Sequence, residues 1–334
     1  MTVHIRRREF VTLLGSAMGA WPAMSIAQPA GGPQRVGVLM RVAEDDPSAR
    51  DDVRTFEGGL GKLGWTVGNN ILIDYRWAAG SNDRAQTLAK ELVELKPDTL
   101  VAYGTAMLEA IRRATKTIPI VFTMVSDPVG QGYVVSLSRP GGNATGFTSF
   151  EFSTGGKWLE LIREASPSIK RVGVIFNPVT APYAPSYLHS IESAAVPIAV
   201  DVTGAPILNV ADIEHVMTPF GQDPGGSLIV IPDTFTDAHA ASIIASATRY
   251  RLPAMYPYTH FAKAGGLMTY GPDPAQMFGR AADYVDRILR GERPADLPVQ
   301  QPSKYELIVN LKAAKAINLT MPPTLIARAD RVIE

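Results

Sequence analysis

The 334-residue sequence contains no cysteine. That absence excludes thiol nucleophiles, iron–sulfur clusters, cysteine zinc sites, disulfides and a lipid-anchoring cysteine. Histidine is scarce as well: there are five, and His189, His215, His239 and His260 show no metal-ligand spacing. Formal net charge is zero, with 32 basic and 32 acidic residues and no basic stripe, so the electrostatic footprint of a nucleic-acid binder is missing. No segment approaches the ~18 uninterrupted apolar residues of a membrane span. There is no Gly-x-Ser-x-Gly elbow and no His-Glu-x-x-His pair. Gly59-Leu60-Gly61-Lys62-Leu63-Gly64 has dinucleotide-fingerprint spacing but lies at the end of a helical pattern, where glycine terminates a helix rather than opening one onto a phosphate. Gly155-Gly156-Lys157 is followed by Trp158, which lacks the hydroxyl that a nucleotide loop offers to magnesium. No cofactor or metal is expected.

What is present is a chain with 46% apolar and 19% charged residues, long enough for roughly two domains. Residues 1–27 carry Arg6, Arg7 and Arg8, a short apolar stretch and Ser25-Ile26-Ala27, the layout of an export signal. Arg7-Arg8-Glu9-Phe10 resembles the twin-arginine pattern. Without this leader the chain would be weakly acidic and is expected in a periplasm.

From Arg35 onward, short apolar runs alternate with amphipathic stretches, the signature of βαβ units and parallel sheets. Strands are expected at 36–40, 71–77, 99–102 and 120–123, with helices at 49–63, 84–95 and 105–115. The breaker cluster Arg139-Pro140-Gly141-Gly142-Asn143 precedes a second series. That series has strands at 172–176, 198–202, 228–231, 252–254 and 267–269 and helices at 156–164, 186–194, 213–217 and 238–250. A long helix at 274–289, a proline-rich linker, a strand at 306–310 and a helix at 311–317 complete it. The expected fold class is α/β, with two Rossmann-like lobes. Residues 34–147 plus about 272–300 would form one lobe, and 148–271 plus about 301–334 the other.

Open α/β sheets present ligands at the carboxyl ends of their strands. Arg41 follows the first strand, where it either pairs with an anion or lies at a rim. Tyr103-Gly104-Thr105-Ala106 joins a strand to a helix, with Thr105 placed to cap it. Ser126-Asp127-Pro128 has the same form, with Pro128 suited to a first helical turn. In the second half the equivalent strand ends are Phe176-Asn177-Pro178, Pro232-Asp233-Thr234, Tyr256-Pro257-Tyr258 and Tyr270-Gly271-Pro272. Carboxylates, amide-rich turns and aromatic rings together suit a small charged organic molecule.

The chain resembles ABC-transporter substrate-binding proteins of the type I periplasmic binding fold, a family whose characterised members bind tryptophan and related aromatic amino acids. The resemblance rests on Ile118-Pro119-Ile120-Val121-Phe122 through Ser126-Asp127-Pro128-Val129-Gly130, and on Arg139-Pro140-Gly141-Gly142-Asn143-Ala144-Thr145-Gly146. Gly265-Gly266-Leu267 to Tyr270-Gly271 and residues 298–304 add to it. It implies two lobes joined by three crossings and a ligand enclosed between them. It further implies a monomer that partners a membrane permease and performs no catalysis. By position, Thr105 and Ala106 would take a ligand carboxylate, Asp127 and Asp233 an ammonium group, and Tyr256 and Tyr270 the side chain; relatives often carry Pro where this chain has Ala106. The competing expectation is an exported α/β enzyme with Asp127 and Asp233 as its acid–base pair.

Overall fold

The structure is a computed structural model, and it describes residues 32–334 apart from residue 223. The leader expected in residues 1–27 lies outside the described residues. The chain from Pro33 to Glu334 is one compact unit containing two sheets.

The first sheet is built from β1 (Gln34–Met40), β2 (Ile71–Trp77), β3 (Thr99–Tyr103), β4 (Ile120–Val125) and β5 (Ala144–Thr148), all parallel in the order β2-β1-β3-β4-β5. Val36, Val38, Val101, Val121 and Phe122 are fully buried, as expected of strands covered on both faces. The intervening helices are α1 (Pro47–Lys62), α2 (Asn82–Glu94) and α3 (Thr105–Ala114). The second sheet follows α4 (Thr154–Ala165). It comprises β6 (Arg171–Phe176), β7 (Asp201–Pro206), β8 (Gly226–Val230), β9 (Ala254–Tyr256), β10 (Met268–Gly271), β11 (Glu306–Asn310) and β12 (Arg331–Ile333). Their order is β12-β11-β10-β9-β8-β6-β7, with β10 and β11 antiparallel and the other pairs parallel. Its connecting helices are α5 (Ala184–Ala195), α6 (Asp212–Gln222), α7 (Thr234–Ala238), α8 (Ala240–Arg249), α9 (Thr259–Lys263), α10 (Pro274–Leu289), α11 (Leu311–Ala316) and α12 (Pro323–Arg328).

Although α10 follows β10 in sequence, it packs on the first sheet. Phe278 stacks on Phe56 and Tyr103 at 4.9 and 4.6 Å. Gly59 allows this approach, since a Cβ there would lie 2.8 Å from the Cβ of Ala282. The chain therefore passes between the sheets three times: after β5, before α10 and before β11. The last crossing runs beside β5, where Thr145 Oγ1 donates to the Leu297 carbonyl at 2.5 Å and Gln300 N–H donates to the Gly146 carbonyl at 2.9 Å.

Several elements depart from the sequence expectation for local reasons. Strand β7 begins at Asp201 rather than 198, because Val196-Pro197-Ile198 forms a tight turn that ends at Ala199 with φ of 51°. The helix expected over 238–250 is α8, at Ala240–Arg249, and a separate short helix precedes it: the Asp233 carboxylate caps α7 by accepting from Phe235 N–H and so starts it at Thr234. Arg251, at φ of 53°, delays β9 to Ala254. β5, α9, α12 and β12 carry too weak a periodic signal to stand out in the sequence. No helix follows Pro128; the segment is a run of turns in which Asp127 takes φ of 46°.

Candidate functional site

Each sheet has one place where the chain leaves a strand toward one side and returns on the other. In the first sheet this lies between β1 and β3, in the second between β6 and β8. Loops diverging at such a point leave a crevice at the carboxyl ends of the strands. Here the two crevices face each other. Arg41 follows β1 and Gly104-Thr105 follows β3, while Asp233, Thr234 and Asp237 follow β8 across the gap. Met124, Tyr183 and Tyr258 complete the lining of a cavity of about 10 Å³, space for about one water molecule.

Arg41 is 4% exposed. Its guanidinium carbon lies 4.6 Å from the Tyr103 ring centroid and 5.9 Å from that of Tyr258. It forms an ion pair with Asp237, joining the two sides of the cleft. His260 Nε2 lies 2.5 Å from the other oxygen of Asp237. Burial, followed by the neighbouring Arg41 charge, pushes the imidazole down to about 3, so it is neutral at pH 7 beside a carboxylate that Arg41 already balances.

Asp233 holds the opposite wall. One carboxylate oxygen accepts from Asn177 N–H at 2.7 Å, and the other accepts from Phe235 N–H at 3.0 Å and from the Thr180 hydroxyl. Burial raises its pKa to about 6 in spite of these donors. Asp233 thereby ties the loop after β6 to the loop after β8 and sets the position of α7, which in turn carries Asp237 one helical turn further on the same face.

Of the residues singled out in the sequence, Arg41, Gly104, Thr105 and Asp233 line the cavity. The others stand elsewhere. Tyr103 lies beneath Arg41, stacked on Phe278. Ala106 lines the neighbouring mouth of the cleft, a cavity of about 470 Å³. Ser126 donates its N–H to Thr105 Oγ1 at 3.0 Å and pairs its hydroxyl with Ser149 at 2.9 Å. Thr105 makes no side-chain cap on α3; Gly104 is the residue before that helix, at φ of 105°. Asp127 turns back on its own loop, accepting from Gly130 N–H at 2.9 Å, because its left-handed backbone closes the turn there. Phe176 packs beside Gly204, and Asn177 caps its own loop by accepting from Val179 N–H at 2.8 Å. Tyr256 is buried in its sheet, stacked on Phe261 at 5.1 Å. Tyr270 stacks on Tyr305 at 5.5 Å, and its carbonyl accepts from the Trp158 indole.

Tyr256 ends β9 inside its sheet, whereas Tyr258, two residues further on, lines the cavity. The sequence reading named Thr234 and Tyr258 only as members of their strand-end motifs, and it missed Met124, Tyr183 and Asp237. Asp237 was findable, since it lies four residues after Asp233 in a segment with helical propensity. Met124 was not, because its φ of 57° comes from an irregularity in the β4–β5 pairing.

A family model described as ABC transporter substrate binding protein matches residues 35–333. A tyrosine-binding protein of Clostridioides difficile (strain R20291) is 26% identical over 86% of this chain and 81% of its own. Among solved structures, a conserved domain protein from Vibrio cholerae O1 biovar El Tor is 31% identical, with a TM-score of 0.82 over 90% of this chain and 99% of its own. An ABC domain from Streptococcus pneumonia in complex with L-Trp scores 0.81 at 23% identity over 90% and 100% of the two chains. The ligand-free, open structure of a substrate binding protein with adhesive properties from Clostridium difficile scores 0.66 at 24% identity over 90% and 99%.

Proposed function

The chain belongs to the ABC transporter substrate-binding protein family, and from that premise we propose that it is the exported receptor of an importer, enclosing an aromatic amino acid between its lobes. The observation that carries the ligand class is the opposition of charges across the cleft. Arg41, with the first amides of α3 beside it, offers a place for a carboxylate; Asp233 and Asp237 offer places for an ammonium group. Tyr183 and Tyr258 supply flat apolar faces between them. The tyrosine-binding relative and the L-Trp complex support the same class. A cavity of about 10 Å³ does not admit such a ligand, so the lobes, residues 34–147 with 272–300 and 148–271 with 301–334, separate for entry and close again. The greater likeness to the L-Trp complex than to the open, ligand-free structure supports reading the arrangement as a closed one. Export through the leader in residues 1–27, a periplasmic location, a monomeric state and delivery to a membrane permease without turnover complete the proposal. Among the described residues no helix is long and apolar enough to cross a membrane.

The test is calorimetric titration of the purified protein with L-tyrosine, L-tryptophan and L-phenylalanine, each beside its deaminated acid and decarboxylated amine. Binding that requires both the carboxylate and the ammonium group is expected. Equal binding of the deaminated acids removes the carboxylates Asp233 and Asp237 from the ligand and overturns the amino-acid assignment. Conversion of any of these compounds by the protein favours the exported-enzyme alternative.

A further inference from the structure

Two carboxylates, Asp233 and Asp237, line the small cavity of the cleft, and their surroundings differ. Asp233 is engaged by its own side. Its oxygens accept from Asn177 N–H, Phe235 N–H and the Thr180 hydroxyl, so most of the about four acceptor positions of a carboxylate are filled. The Asp237 side chain is only 3% exposed, yet among the described residues neither of its oxygens has a hydrogen-bond partner. What balances it is the charge of Arg41, with the neutral His260 beside it.

Arg41 is anchored on the opposite wall. Its Nη2 donates to the Tyr103 hydroxyl at 3.4 Å, its guanidinium lies over the Tyr103 ring, and the neighbouring Asp52 carboxylate favours its charged form. Tyr103 ends β3 and Asp52 lies on α1, so both stay with Arg41 when α7 draws Asp237 away. With the cleft shut, Arg41 and Asp237 are each other's counter-ion, and their side chains leave a space of about 10 Å³. Burying either charge without a partner is costly. An occupant that comes between them must therefore bring an anion to Arg41 and a cation to Asp237.

Resting on the assignment of the cleft to an amino acid, we propose that the Arg41–Asp237 pair is a zwitterion filter. The ligand inserts between the two side chains, its carboxylate replacing Asp237 on Arg41 and its ammonium replacing Arg41 on Asp237. One ion pair becomes two, and no buried charge is left unmatched. The ammonium also brings three N–H donors to a carboxylate that has none. Asp233 holds the loops and takes no part in recognising charge. A ligand with the carboxylate alone strands Asp237, and one with the ammonium alone strands Arg41, so the filter rejects both.

The probes are L-tryptophan and L-tyrosine with the deaminated acid and decarboxylated amine of each, titrated calorimetrically at pH 7.5 into the purified parent protein and into Asp237→Asn, Arg41→Gln and Asp233→Asn. The parent should bind an amino acid and neither of its fragments. In Asp237→Asn the amino acid weakens about tenfold or more, while the deaminated acid, which now strands nothing, binds about tenfold or more tighter than to the parent. In Arg41→Gln the decarboxylated amine gains in the same way. Asp233→Asn gives neither gain. A misfolded variant cannot gain a ligand, and the reciprocal pair of variants leaves one gain to be read if the other protein does not fold. Uniform weakening of every probe in both variants of the pair, with the parent binding the amino acid, overturns the filter and leaves the amino-acid assignment standing. A gain of the deaminated acid in Asp233→Asn gives the ammonium to Asp233 and overturns the filter as well. Failure of the parent to bind any amino acid overturns the assignment on which the filter rests.

Discussion

Arg41, Asp52 and His260 form a buried group in which the titration of Asp52 and of His260 each responds to the other two residues. Asp52 and Asp233 have folded-state values of about 6, above the ordinary 3.8, chiefly through burial. Their contribution to stability is therefore full below about pH 4 and is lost as pH rises through 6. His260 has the opposite sign. Its value falls from 6.5 to about 3, so its contribution is present above pH 6.5 and is lost as pH falls toward 3. Between pH 6 and 4 the two effects oppose each other, each of the three groups contributing up to about 1.4 kcal/mol per pH unit. Replacing His260 with Gln removes the histidine slope. Urea denaturation at pH 7, 6, 5 and 4 should show the variant gaining on the parent protein by about that amount per unit as the pH drops. A difference that is constant across the series shows that the imidazole titrates alike in the folded and unfolded chain.

At the scale of elements, the most distinctive stretch of sequence has a structural task. In Arg139-Pro140-Gly141-Gly142-Asn143-Ala144-Thr145-Gly146, Gly141 takes φ of 77° and Asn143 donates its side-chain amide to the Ile118 carbonyl at 2.8 Å. Thr145 and Gly146 then hold a returning crossing through Leu297 and Gln300. Gly146 lies so close to β4 that a Cβ would stand 1.8 Å from the Phe122 carbonyl oxygen. Strand β5 can pair there only if residue 146 has no side chain. Gly146→Ala should therefore cost about 1–3 kcal/mol or more and loosen the crossings, read as a lower urea midpoint. An unchanged midpoint would falsify the idea that this approach is tight. A motif that marks kinship need not touch a ligand, and this one holds a crossing between the two sheets.

For the molecule as a whole, Arg41 and Asp237 link the two sides of the cleft through a buried ion pair. Removing one partner of such a pair leaves the other charge buried and unmatched, a penalty of about 3–5 kcal/mol. That penalty falls on the closed arrangement, since separation of the lobes returns Arg41 to water. Asp237→Asn should therefore populate the open form, visible in small-angle scattering as a larger radius of gyration before any ligand is added. Addition of a bound aromatic amino acid should compact the parent protein and compact the variant less. Identical scattering of the two proteins, with and without ligand, would show that this ion pair does not govern closure.

The α/β class, the two series of strands and the long helix at 274–289 were legible in the sequence, because burial on both faces of a strand and on one face of a helix writes a local period. Arg41, Gly104, Thr105 and Asp233 were legible too, because each follows directly on a strand with a strong apolar run. Asp237, Tyr183 and Tyr258 come to the cleft only through tertiary structure. Nothing local distinguishes Tyr258 from Tyr256; the pleat of β9 turns one ring into the sheet and leaves the other to the loop. Nor does any local pattern pair Arg41 with Asp237, which lie 196 positions apart and meet because two crevices face each other. Sequence determined which strand ends bear chemistry, and the packing of the two lobes decided which of those residues share a cavity.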